Sequence, residues 1–328
     1  MTRVCANIGR SPSYIGNKEH SVIGMMIELD ILKRPVLLDG GMGRELRFRG
    51  VDVPGTIWSA MALVVAPEAV RQVHMDYIQA GADVITVNSY GIIRRDLALE
   101  NMEDRFAELN RTAGRLAREA REMAGRDTVI AGSLPPLRGS FRPDRVGRIE
   151  EIEPLYREQA DLLAPFVDLF ICETMSTAAE ALAAARAACT TGKPVWVAWT
   201  LDELRPERLR SGETLFEAEQ MIAELPVSGL LANCCPPERV TDAMPVLAKT
   251  GFKYVGGYAN TFAHIPGDWE LDGDKESDGF LDLRSDLDPG DYKAHVADWL
   301  ARGATVVGGC CGTRPAHIAR LRKLLDAG

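Results

Sequence analysis

Two adjacent cysteine pairs, Cys234-Cys235 and Cys310-Cys311, are the residues in this sequence best suited to chemistry. The apolar run Thr305-Val306-Val307 reads as a buried strand, and it leads into Gly308-Gly309, the two thiols and Gly312. Glycines around paired thiols let the backbone turn sharply and let a large atom approach it. Thr313 is placed to cap a following helix, and Pro315 suits its first turn. The other pair follows a second apolar run, Gly229-Leu230-Leu231-Ala232, with Asn233 between. Three thiolates gathered from two strand tips would form a donor set for zinc. That ion prefers tetrahedral sulfur and imidazole ligation, and with three protein ligands it keeps a fourth position for substrate. A substrate thiol placed there would lose its proton at neutral pH.

The elements that must position these thiols repeat regularly. From Pro35 onward short apolar strands alternate with helical segments: strands near 36–38, 83–87, 128–131, 169–172, 194–199, 229–232, 254–258 and 305–307. Helical spacing recurs between them, for example Phe106, Leu109, Ala113 and Leu116, or the alanine-rich run from Thr177 to Ala188. Eight strand–helix units without a linker predict a single (β/α)8 barrel over residues 31–328, with residues 1–30 as a loose arm that adds nothing to function and translation starting naturally at Met25 or Met26. A doubly wound open sheet is the competing architecture. The turn Asp39-Gly40-Gly41-Met42-Gly43 lacks the G-x-G-x-x-G spacing that such a sheet normally carries.

In a barrel of this kind the reactive groups sit at the C-terminal strand ends. Those ends supply Asp39, Ser89, Glu173, Cys234 or Cys235, and Cys310 with Cys311. Each has a plainer alternative. Vicinal cysteines are often only small buried residues. The glycines before the last helix also suit a phosphate, although thiols where the phosphate would lie argue against it. Glu173 alone could be a core carboxylate paired with an arginine, and Cys172 should point the opposite way along its strand and pack.

Composition narrows the partners. A net charge of −9, with no dense block of Lys or Arg, speaks against nucleic acid. No apolar stretch is long enough to span a membrane, and the first 30 residues have no secretory h-region. Seven cysteines, an odd number, then read as thiols in a reducing cytoplasm.

The segments Leu38-Asp39-Gly40-Gly41-Met42-Gly43, Asn88-Ser89-Tyr90, Asn233-Cys234 and Gly308-Gly309-Cys310-Cys311-Gly312-Thr313 together resemble the homocysteine S-methyltransferase family. The resemblance runs from about Pro35 to the C-terminus. It implies a zinc-bearing barrel in which Cys234, Cys310 and Cys311 are the ligands and Cys235 is a neighbour. It also implies that Asp39 and Glu173 hold the ammonium of homocysteine, while Gly40 and Gly41 present backbone N–H groups to its carboxylate. Val87 stands where the family commonly has threonine, so the assisting hydroxyl is assigned to Ser89, two residues on; Arg44 likewise replaces a common threonine.

The expected reaction is methyl transfer to the homocysteine thiol on Zn²⁺, giving methionine. The chain has no room for cobalamin modules, which favours a small diffusible donor such as S-methylmethionine, S-adenosylmethionine or betaine. Folates or a separate corrinoid protein are further options. Tyr90, Trp199, Tyr258 and Trp269 are candidate faces for a cationic donor. Two alternatives stand beside this function: a non-catalytic barrel with a structural or redox-sensing metal, and methyl transfer to a different thiol.

Overall fold

A computed structural model describes residues 35–52, 57–267, 269 and 281–327. The arm at 1–30 and most of the Asp-rich loop lie outside the described residues. Eight strands lie among the described residues: β1 (Val36–Leu37), β2 (Val84–Thr86), β3 (Val129–Leu134), β4 (Leu169–Met175), β5 (Val195–Trp199), β6 (Val227–Asn233), β7 (Tyr254–Ala259) and β8 (Val306–Gly309). Neighbours in sequence are neighbours in space, all pair in parallel, and β1 lies against β8. A parallel bridge between Leu38 and Val84 joins β1 to β2. The sheet therefore closes on itself as a (β/α)8 barrel, and the open doubly wound alternative is excluded.

The period of two along each strand sorts side chains into two cores. Val36 and Leu38, Ala131, Ile171, Trp196 and Ala198, and Tyr254 with Tyr258 fill the barrel interior. Their alternates, among them Leu37, Cys172, Val197 and Trp199, pack outward under the helices. On β4 the inward row is Leu169, Ile171 and then Glu173, so a carboxylate occupies the top of the interior. The strand runs to Met175, past the expected end at Cys172, because Met175 pairs with Trp199 of β5 beyond a register shift, and hydroxyl partners make the burial of Glu173 between them tolerable.

The helices follow their local signals. Thr214 and Glu217 form a reciprocal capping box, Thr177 caps the alanine-rich helix Ala178–Cys189, and Asp288 starts Pro289–Ala301 one turn before the expected Tyr292. Thr313 departs from expectation. Its hydroxyl donates to the Cys310 carbonyl at 2.8 Å, and the last helix begins at Pro315 behind Arg314. The Arg314 N–H is instead accepted by His317 Nδ1 at 3.1 Å, and the Thr313 side chain braces the turn that bears the thiols.

Gly256 is required in β7. It has φ +152°, and an added Cβ would lie 1.9 Å from the Val306 carbonyl oxygen of β8. Gly256→Ala is therefore expected to cost at least about 3 kcal/mol of unfolding free energy. Urea denaturation monitored by tryptophan fluorescence checks this; an unchanged midpoint would contradict the close approach of the two strands.

Candidate metal centre and substrate cavity

β6 ends at Asn233, whose side chain clasps Thr174 on the neighbouring β4: Oδ1 accepts the Thr174 N–H at 2.8 Å and Nδ2 donates to its hydroxyl at 2.9 Å. Both Thr174 and the following Cys234 have left-handed backbones, with φ of +62° and +47°. Non-glycine residues adopt this conformation at a cost, and the Asn233 clasp helps to hold it. Cys234 is also tied by its N–H to the Tyr258 carbonyl at 3.1 Å. The turn after β8 is fixed by Cys310 N–H to the Ala259 carbonyl and by Thr261 N–H to the Cys311 carbonyl, both at 2.9 Å. Gly312 at φ +85° leaves room for Thr261, whose hydroxyl would lie 2.0 Å from a Cβ there.

These turns bring three thiols together. Cys234 Sγ and Cys311 Sγ are 3.7 Å apart, and the Sγ atoms of Cys234, Cys310 and Cys311 all lie within 4.8 Å of one another. Tetrahedral Zn–S bonds of about 2.3 Å require sulfur–sulfur separations of about 3.8 Å, so the donor set suits such an ion with small adjustment. Hydrogen bonds from Cys234 and Cys310 hold the Cys311 thiol well below its usual range, with the Arg44 charge adding to the effect. The same bonding to Cys234 and Cys311 pushes Cys310 well up. Cys235 is fully buried in the outer core, as is Cys172, so neither joins the cluster.

Facing the thiols is a cavity of about 130 Å³ whose lining includes Asp39, Gly40, Gly41, Glu173 and the three cysteines. Asp39 accepts the Thr86 N–H at 2.8 Å and the Thr86 hydroxyl at 3.2 Å. Burial pushes its carboxyl up to about 8, with the Glu173 charge adding to the rise and the Thr86 N–H opposing it. Glu173 accepts the Ser133 hydroxyl at 2.5 Å and the Tyr258 hydroxyl at 3.1 Å, and burial pushes it up to about 7 against those two bonds. Neither carboxyl is ion-paired among the described residues. Two buried carboxyls that lack a cation form a site that an ammonium would complete. Gly40 and Gly41 let this loop lie against the thiol turn: a Cβ on Gly41 would sit 2.9 Å from the Cys310 carbonyl oxygen. The Tyr77 hydroxyl donates to the Gly41 carbonyl at 2.9 Å from below.

Ser89 is not brought to this cavity. It is fully buried, and its hydroxyl donates to the Ser133 carbonyl at 2.9 Å. The inward row of β2 is Val84 and Thr86, so residues 87 and 89 fall on the other row, and Thr86 is the hydroxyl beside Asp39. Thr86, Ser133 and Tyr258 were all findable from strand parity, since each shares the inward row of its strand. Among the candidate aromatic faces, Tyr90, Tyr258 and Trp269 line the cavity together with Trp58, Phe141 and Phe262. Trp199 does not; it points into the outer core. Arg44 lines the cavity as well, with its guanidinium 5.5 Å from the Phe262 ring centre.

A family model described as homocysteine S-methyltransferase matches residues 36–325, a span that contains every residue of this site. The chain belongs to that family. The homocysteine S-methyltransferase of Escherichia coli K12 is 31% identical over 313 residues, covering 88% of this chain and 94% of its own. The selenocysteine methyltransferase of Astragalus bisulcatus is 28% identical, covering 90% and 94%. Among solved structures, the metallated form of the E. coli homocysteine methyltransferase MmuM superposes with a TM-score of 0.74 at 29% identity, covering 89% of this chain and 97% of that one. Its apo form superposes less closely, with a TM-score of 0.66. A homocysteine S-methyltransferase family member is a methyltransferase with small-molecule substrates, and the three thiols here could hold a metal. No helix among the described residues is long and apolar enough to cross a membrane.

Proposed function

We propose that this protein transfers a methyl group from a small cationic donor to the thiol of homocysteine, giving methionine, with Zn²⁺ held by Cys234, Cys310 and Cys311. The observation that carries this function is the pairing of two features across one cavity: three sulfurs within 4.8 Å of one another, and two buried carboxyls that have no ion-pair partner among the described residues. A bound Zn²⁺ would supply the Lewis acidity that makes an incoming thiol a thiolate at neutral pH.

The chain's own residues supply position. Asp39 and Glu173 hold the ammonium, fixed in turn by Thr86, Ser133 and Tyr258. Gly40 and Gly41, which line the same cavity, face the carboxylate end. The aromatic walls, Tyr90, Phe141 and Trp269 among them, exclude water and offer faces to a sulfonium or quaternary ammonium. The acceptor sulfur attacks the donor methyl carbon in line, and the bond from that carbon to the donor heteroatom breaks with its electron pair. Once the thiol proton has gone no general base is needed, and orientation provides much of the acceleration. S-methylmethionine, S-adenosylmethionine and betaine are the donors to compare. The buried free thiols suit a reducing cytoplasm.

Cobalt-substituted protein titrated with homocysteine tests the acceptor site. Added sulfur-to-cobalt charge-transfer absorption is expected, and an unchanged spectrum would sink the proposal. A donor panel scored by methionine production then ranks the donors. The selenocysteine methyltransferase among the relatives favours one second acceptor, the selenol of selenocysteine, which belongs in the same panel.

The hydroxyls near the carboxyls separate by role. Thr86→Val is expected to raise KM for homocysteine roughly tenfold, about 1.4 kcal/mol, because Asp39 loses a hydrogen bond to its charged form. Ser89→Ala should leave KM within about twofold and cost about 1 kcal/mol of stability. Steady-state kinetics beside thermal denaturation checks both; a KM defect in Ser89→Ala alone would reverse the assignment.

A further inference from the structure

Beside the three sulfurs, the loops after β3 and β7 meet in a small apolar cluster of Phe141, Phe262 and Ile265 with Cys234, against which Trp269 packs. Phe141 has a left-handed backbone there, with φ +63°. For a bulky side chain that conformation is costly and persists only where the surroundings hold it, and such strain gathers at functional sites. Ser140, the residue before it, is tied to the Tyr90 hydroxyl at 2.7 Å, which fixes the loop but not the ring. The ring itself meets two partners: Trp269, 5.5 Å away between centres, and the Arg210 guanidinium, 4.7 Å from the Phe141 ring centre.

Arg210 comes from the loop after β5. Antiparallel bridges between Leu201 and Leu209 and between Arg208 and Thr214 fold that loop back on itself. Arg210 Nη2 donates to Glu203 Oε1 at 3.1 Å, and only 8% and 11% of the two side chains are exposed. Glu203 in turn reaches the loop after β7. Its Oε1 accepts the Ile265 N–H at 3.1 Å, and its Oε2 lies 2.5 Å from His264 Nδ1. One carboxylate thus joins two loops, and the guanidinium it holds reaches the third.

The guanidinium has few other partners. Among the described residues Arg210 Nε is buried without a hydrogen-bond partner, so the bond to Glu203 and the face of Phe141 are its main contacts. A largely buried ion pair is weak evidence for stability, since apolar residues of similar volume often do as well. Its distinctive effect here is on the ring it touches. Phe141 and Trp269 line the substrate cavity and Arg210 does not, so Arg210 acts on that cavity through Phe141.

From this arrangement we infer that Arg210 is a positioning residue for the methyl donor: clamped by Glu203, it holds Phe141 in its strained conformation and fixes the wall against which the donor stands. Asp39 and Glu173 take the acceptor, which leaves the aromatic cluster beside the sulfurs for the donor. The use of the wall rests on the proposed methyl transfer; the clamp on Phe141 does not.

Arg210→Met tests both parts, because it keeps the length of the side chain and removes the charge and the planar face. In crystal structures of the wild type and this variant, Phe141 is expected to leave the left-handed conformation in the variant alone; an unmoved Phe141 overturns the clamp. In steady-state assays with the most active donor, KM for the donor should rise about tenfold, while homocysteine affinity in the cobalt titration stays within about twofold. A double-mutant cycle with Phe141→Leu separates positioning from general loosening: once the ring is gone, Arg210→Met should change donor KM less than about twofold. Additive losses in the cycle, or homocysteine affinity falling in step with the donor, overturn the positioning role. If Arg210→Met does not fold, Arg210→Lys, which keeps the ion pair without the planar face, carries the same comparisons. A wild-type protein that turns over no donor is a failure of the proposed function, and the crystal structures then decide the clamp by themselves.

Discussion

Cys311→Ala is expected to lose bound metal and activity together, with kcat/KM falling by about 10³-fold or more, since a metal's activation of its bound nucleophile is worth several kcal/mol. Cys311 belongs to the three-sulfur cluster and lies 3.7 Å from Cys234 Sγ. With one thiolate gone, two sulfurs remain on a site that needs three. Metal content by plasma mass spectrometry, measured on the same sample as the activity, checks the prediction. Cys235→Ala is the matched control: its thiol lies in the outer core, so metal should be retained at a cost in packing only. An active, metal-free Cys311→Ala protein would dismiss the ligand assignment.

Glu173→Gln should do the opposite, sparing the metal while raising KM for homocysteine about 10²-fold, in line with the 2–5 kcal/mol lost when one partner of a buried charge pair is removed. Gln keeps the shape and can still accept from Ser133 or Tyr258, so the loss is chiefly one of charge. The pH dependence carries the same information. In the free protein Glu173 titrates near 7 and Asp39 near 8, because both are buried. An ammonium binds their ionised forms, so acceptor affinity should rise with pH through that window, with protons released on binding. Glu173→Gln should remove the part of this rise near pH 7. Calorimetry in buffers of different ionisation enthalpy measures the release; unchanged proton counts would remove Glu173 from the anchor.

The same shifts act on stability with a fixed sign. A carboxyl whose folded pKa is raised above its unfolded value contributes stability at low pH and loses it as pH rises through the folded value. For Glu173 and Asp39 that loss extends from about 4 up to about 7 and 8. Glu173→Gln should therefore raise the unfolding free energy of metal-free protein at pH 8 by about 1–2 kcal/mol, less than the raised pKa alone would give because two hydroxyl bonds weaken. Stability is given up here to keep two carboxyls waiting for a cation.

Much of this was legible along the chain because it is local. Apolar runs three to six residues long, regularly spaced and ended by Asp39, Glu173, Asn233 or Gly308-Gly309, specify the strands and their C-terminal tips. The alternation within a strand also specifies which residues share a face, and Glu173 inward with Cys172 outward follows from it. Ser89 shows the limit. Residues 87 and 89 do share one row of β2, but the inward row holds Val84 and Thr86, and that depends on how β2 pairs with β3. Thr313 shows another: its hydroxyl bonds the Cys310 carbonyl in place of capping the helix, a choice set by the turn it belongs to.

By itself the sequence determined the barrel class, the presence of two thiol pairs at strand ends and the two carboxylates that share their mouth, because each is written in residues close together in the chain. Only the tertiary structure decided which three sulfurs meet, that Cys235 turns away, and that Asp39 and Glu173 stand buried with no ion-pair partner among the described residues. The physical reason is that sulfur separations and burial depend on segments far apart in the chain, Cys234 and Cys311 being 77 residues apart. Barrel closure, the left-handed backbone at Cys234 and the glycine turn at Gly312 bring those segments into register.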